Sequence, residues 1–142
     1  MSYWDSSAIA PVLVDEPTSR HLRQLAADDS RITTWWGTVV ECTSAVGRRE
    51  RTGALDPEDA ATSMATLDRL AREWVEVPPT PLLRDDARRL LRVHDLRAAD
   101  AFQLAAARVA ADGDPGTFPF VTLDDRLALA ASREGFPVPR LD

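Results

Sequence analysis

Short β-prone apolar segments recur along the chain, and a stretch with helical periodicity separates each from the next. Strands spaced this way need crossover connections, which are right-handed and lay helices over both faces of a parallel sheet. Tyr3-Trp4 is a minimal first strand, Arg31 to Thr34 a second, and Trp74 to Val77 a third, closed by Pro78-Pro79. Phe118 to Thr122 gives a fourth strand and Phe136 to Pro139 a candidate fifth. Helices are predicted from Ala8 to Val14 after a Ser6-Ser7 cap, from Pro17-Thr18 through Leu22, Leu25 and Ala26, and from Thr38 to Arg49, ended near Gly53. Further helices start at Pro57 and run from Pro81 to Val93, from Leu96 to Ala111 with Asp95 able to cap it, and from Asp124 to Arg133. A length of 142 residues with no linker, repeat or low-complexity tract fits one α/β domain spanning 1–142, with four to five parallel strands flanked by helices.

In an open parallel sheet, ligands sit beyond the carboxyl ends of the strands. Asp5 directly follows the first strand and Asp124 follows the fourth, so both face that edge. Glu41 lies one turn into the helix after the second strand, and Asp100 sits early in the helix Leu96–Ala111 among Ala98, Ala99, Ala101 and Ala105. Each has a structural alternative. Asp5 and Asp124 (or Asp125) can cap helices, Glu41 can complete a capping box with Thr38, and Asp100 can answer the helix dipole. Converging carboxylates with no cation among them repel, and a hard divalent ion such as magnesium or manganese removes that penalty. One or two such ions, about 3.5–4 Å apart, activate water and offset charge in many phosphodiesterase sites.

All 17 basic residues are arginine, so lysine-dependent chemistries are excluded: the phosphate-binding loop, Schiff bases and phosphotransfer receiver domains. A haloacid-dehalogenase-like phosphatase also wants a second Asp two residues after the first, where Ser7 stands. The lone Cys42 can form neither an internal disulfide nor a cysteine-cluster zinc site and reads as core filling. No leader-like start or membrane-length apolar run is present, which makes a cytoplasmic protein without membrane contact the expectation. A net charge of −6 argues against loose electrostatic binding of nucleic acid.

Several motifs nevertheless resemble those of PIN-domain ribonucleases, in particular the VapC toxins of bacterial toxin–antitoxin pairs. Tyr3-Trp4-Asp5-Ser6-Ser7-Ala8 resembles that family's strand-Asp-Ser/Thr opening, and Val39-Val40-Glu41 its Glu-bearing helix. The helix Leu96 to Ala107 is similar to its Asp-Ala-x-x-Leu-Ala-x-Ala helix, and Phe120 to Asp124 to its strand ending in Thr-x-Asp. The resemblance implies strand order 3-2-1-4-5. It also implies Mg2+ (or Mn2+) held by Asp5, Glu41, Asp100 and Asp124, with Ser6 and Thr122 assisting. The activity implied is metal-dependent endoribonucleolytic hydrolysis of RNA, silenced by a cognate VapB-type antitoxin, in a protein that forms homodimers. A non-catalytic PIN-like module binding RNA or protein is the alternative. One departure is that Asp125 follows Asp124 where the family often has a basic residue.

Arg84, Arg88 and Arg92 form a basic stripe available to an RNA backbone, and Arg48, Arg49 and Arg51 a second patch, although solvated faces explain both. Trp35-Trp36 follow the second strand and could stack unpaired bases or belong to core or interface. His21 and His94 stand too far apart in sequence to suggest a catalytic pair.

Overall fold

A computed structural model describes residues 1–141. Strands β1 (Ser2–Trp4), β2 (Ile32–Trp35), β3 (Val75–Val77) and β4 (Phe120–Val121) make one parallel sheet in the order β3-β2-β1-β4. Helices α1 (Ser6–Leu13), α2 (Ser19–Asp28), α3 (Thr38–Arg51), α4 (Pro57–Glu73), α5 (Pro81–Val93), α6 (Ala98–Ala111) and α7 (Asp125–Arg133) cover it.

A sheet covered on both faces needs apolar side chains at consecutive positions, because neighbours in a strand point to opposite sides. β1 and β4 show why Tyr3-Trp4 and Phe120-Val121 are wholly apolar. Tyr3 and Phe120 enter one core, with α5, α6 and α7, and stack at 5.1 Å. Trp4 and Val121 enter the other, with α1 to α4. Alanine sets the depth of the first core. Ala101, Ala105, Ala106 and Ala107 are all fully buried, so α6 approaches both the sheet and α5 closely.

Caps fix where the helices begin. Asp5 accepts from Ala8 N–H to start α1, where the sequence suggested Ser6-Ser7 as cap. Asp124 accepts from Leu127 N–H at 3.0 Å to start α7. Helix α6 starts at Ala98, with Arg97 at its N-cap and Asp100 accepting from Arg97 N–H, so Asp95 caps nothing and instead lies exposed near Arg126. Gly37, at the N-cap of α3, allows the chain to pass over the Trp35 ring: a Cβ there would stand 2.5 Å from the indole nitrogen.

The four strands take the expected order, but Phe136 to Pro139 adds no fifth ladder. The segment does run beside β4, giving Pro137 C=O to Phe120 N–H at 2.8 Å. Pro137 and Pro139 have no N–H to return, which limits pairing to that bond.

Candidate functional site

Three elements deliver carboxylates to the carboxyl end of the sheet, and the turn after β4 delivers a fourth. Asp5, at the end of β1, is 3% exposed. The Ser7 hydroxyl lies within hydrogen-bond distance of both its oxygens, at 2.8 and 2.9 Å. Ser7 also accepts from Leu123 N–H at 2.9 Å and stands 3.1 Å from the Thr122 hydroxyl. Thr122 in turn accepts from Asp124 N–H at 3.0 Å. One serine thus fastens Asp5 to the turn that carries Asp124.

Glu41 is held from two other directions. Ser6 donates to it, and so does the Gln103 side-chain amide at 3.2 Å. Gln103 is 1% exposed and also donates to Thr38 at 3.0 Å while accepting from the Tyr3 hydroxyl. Thr38 joins Thr34, whose hydroxyl donates to Trp4 C=O at 2.7 Å. Gly37, not Thr38, occupies the N-cap of α3, so the capping-box role open to Glu41 in the sequence is not taken up. The carboxylate is left facing the site.

Asp100 and Asp124 share a cleft of about 430 Å3 with Arg97, Ala99, Asp125 and Arg126. Asp125 is exposed and Asp124 half-buried, with Asp124 also the residue tied to Thr122, which separates the two adjacent aspartates. The sequence reading picked out Asp5, Glu41, Asp100, Asp124, Ser6 and Thr122, and the structure gathers all of them at this edge. It overlooked Ser7, Gln103 and the two cations at the cleft, Arg97 and Arg126. Gln103 was detectable as an amide set among Ala101, Leu104 and Ala105 on an apolar helix face. Arg84, Arg88 and Arg92 lie exposed on α5, and none lines the cleft.

Charge is poorly compensated here. Burial pushes the Asp5 carboxyl up from 3.8 to about 7, against the lowering effect of its bonds from Ser7, Thr122 and Ala8. Burial, and then the neighbouring Asp124 charge, raise Asp100, with Arg97 and Arg126 pulling the other way. Burial followed by the charges of Glu41 and Asp5 raises the Cys42 thiol to about 12, which leaves it inert. Among the described residues, none of the four acids makes an ion pair.

The PIN domain model of protein families matches residues 2–132. The chain belongs to the PIN domain family. No curated protein matches it by sequence. Among solved structures, the PIN domain is similar to VapC20 (Rv2549c) of Mycobacterium tuberculosis, a Sarcin-Ricin loop cleaving toxin. The TM-score is 0.68 at 18% identity, over 96% of each chain. PAE2754 from Pyrobaculum aerophilum gives 0.69 at 18% identity, over 97% of this chain and 89% of that one. FitAcB from Neisseria gonorrhoeae gives 0.67 at 16%, over 99% and 97%. Such distant likenesses establish a shared fold across nearly the whole chain.

The donor chemistry of the site fits a hard divalent cation: oxygen ligands throughout, and a buried carboxylate without a countercharge. As placed, no three of the described His, Cys, Asp and Glu side chains stand close enough to hold one ion together. Asp5 and Glu41 are braced by the adjacent serines, and Asp100 and Asp124 line one cleft.

Proposed function

We propose that this PIN domain is a metal-dependent endoribonuclease that hydrolyses RNA phosphodiester bonds as the toxin of a toxin–antitoxin pair. The observation that carries this reading is Asp5: a buried carboxylate, uncompensated, at the sheet edge where Glu41, Asp100 and Asp124 also gather. Asp5, Glu41, Asp100 and Asp124 would hold Mg2+ or Mn2+. Such an ion, when bound, supplies the positive charge that activates the attacking water and offsets charge developing on the phosphate.

The chain's own residues do the rest. Ser7 and Thr122 hold Asp5 in one orientation, so its lone pairs are fixed before any ligand arrives. Gln103 and Ser6 do the same for Glu41. Arg97 and Arg126 stand at the cleft mouth, where guanidinium groups can pair with the phosphate oxygens of a bound strand. That local arrangement offsets the unfavourable net charge of −6.

The kinship in fold with VapC20 and with FitAcB supports a cognate antitoxin, of the VapB type, as the partner that silences the site. A homodimer and a cytoplasmic setting belong to the same reading. No helix among the described residues is long and apolar enough to cross a membrane. One observation favours a second reading, a non-catalytic RNA- or protein-binding module: the acids do not yet form a three-ligand set. Purified protein incubated with cellular RNA decides between them. Cleavage in Mg2+ or Mn2+ that stops in EDTA and in Asp100→Asn supports the nuclease, whereas no cleavage and no calorimetric heat of ion binding supports the module.

A further inference from the structure

Four tryptophans differ sharply in exposure. Trp4 is fully buried, Trp35 and Trp74 are each 8% exposed, and Trp36 is 55% exposed. An exposed indole offers a flat π-face to a ligand, and this one occupies a defined place. It directly follows β2, which runs parallel to β1 with Tyr3 opposite Thr33. Continuing that register sets Asp5 level with Trp35, on strands about 4.8 Å apart. Trp36 is the next residue along, one position beyond the level of Asp5 at the carboxyl end of the sheet.

The residue is also anchored. Trp36 N–H donates to Val77 C=O at 3.0 Å, fixing its backbone. Its ring meets Trp35 edge-on at 6.3 Å and 73°. Trp35 is itself stacked on Phe102 at 5.3 Å and 2°, two residues along α6 from Asp100. Gly37 packs under the same Trp35 ring, and one turn into α3 the exposed Val40 precedes Glu41. Trp36 therefore presents an aromatic surface anchored at the carboxyl end of β2, two residues before the helix that carries Glu41.

We propose that Trp36 is a positioning residue that stacks an unpaired nucleobase beside the scissile phosphate and so sets which bond of an RNA strand enters the site. The proposal rests on the nuclease reading above. Every base offers a π-face, so this contact selects for unpaired nucleotides more than for sequence. A strand gripped only by its phosphates could slide past the carboxylates, and a stacked base stops it.

The test measures cleavage of a short unstructured RNA by the wild-type protein, Trp36→Ala, Trp36→Leu and Trp36→Phe. Stacked bases lose on the order of tenfold or more in binding when the aromatic is removed. The expected result is a rise of about that size in KM for Trp36→Ala and Trp36→Leu, spread of the cut positions, and retention of most of the wild-type behaviour by Trp36→Phe. An abasic nucleotide at the stacked position should reproduce the defect in the wild type and add little to Trp36→Ala. Equal KM and cut positions in all four proteins would overturn the proposal and leave the nuclease reading intact. The same holds if Trp36→Ala only converts a dimer to monomer, since Trp36 is then a protein contact. Failure of the wild-type protein to cleave or bind RNA in Mg2+ or Mn2+ would overturn the underlying reading, and this one with it.

Discussion

Replacing Asp5 by Asn should make the metal-free protein more stable, and by an amount that depends on pH. The amide keeps the N-cap oxygen for Ala8 N–H and an acceptor for Ser7, since Asn and Asp cap about equally well. It removes the charge and turns the second oxygen into a donating amide. In the fold Asp5 titrates at about 7, against 3.8 for an ordinary aspartate. Between those values the folded protein holds a proton that the unfolded chain has released, so stability falls as pH rises through that window. The raised acidity of Asp5 costs the wild-type fold about 4 kcal/mol at pH 8, where the carboxyl is ionised, and about 2 kcal/mol at pH 5, where the fold has to hold the proton. With about 3 °C per kcal/mol for a domain of this size, the gap in Tm between variant and wild type should widen by about 6 °C from pH 5 to pH 8. Thermal unfolding in EDTA at both pH values, followed by circular dichroism, measures it. Adding Mg2+ at pH 8 should then raise the wild-type Tm and leave Asp5→Asn unmoved. The reasoning fails if the two proteins show parallel pH profiles, or if Asp5→Asn is the less stable protein in EDTA at pH 8.

Gln103→Leu leaves the Tyr3 hydroxyl without its buried partner and frees Glu41, and should cost about 1–3 kcal/mol in urea unfolding while lowering cleavage. Gly37→Ala forces a methyl against the Trp35 ring and should cost about 1–3 kcal/mol by the same measurement. Glu134, which burial alone would raise, is held below the usual carboxylate range by His94, Arg89 and Arg108, so Glu134→Gln should destabilise the α5–α6 layer and show as faster amide exchange there. Cys42, with its thiol pushed up to about 12 and fully buried, should react with a thiol reagent at neutral pH only after denaturation.

The parts legible in the sequence were those set by local chemistry. Apolar pairs such as Tyr3-Trp4 mark strands buried on both faces, and a carboxylate directly after a strand marks the ligand edge whatever the tertiary details. The alternative roles are also compatible, since Asp5 and Asp124 cap α1 and α7 and still stand at the carboxyl edge of the sheet. What stayed hidden depended on contacts between distant segments. Ser7 and Ser6 are interchangeable in sequence, and only packing against Leu123 and Glu41 gives them different partners. Arg97 and Arg126 looked like two of many arginines, until the approach of α6 to the start of α7 put them at one cleft. The stripe Arg84, Arg88 and Arg92 was regular enough to notice, yet regularity on a helix reports only which face meets water.

Ser7 joins Asp5 near the start of the chain to Leu123 and Thr122 near its end. A chain emerging from the ribosome makes Asp5, Glu41 and Asp100 well before the strand and turn that complete the site. Until β4 docks beside β1, Ser7 has nothing to fasten and Asp5 remains in water with an ordinary acidity. The raised acidity of Asp5 is therefore a property of the assembled sheet and not of the segment that carries it.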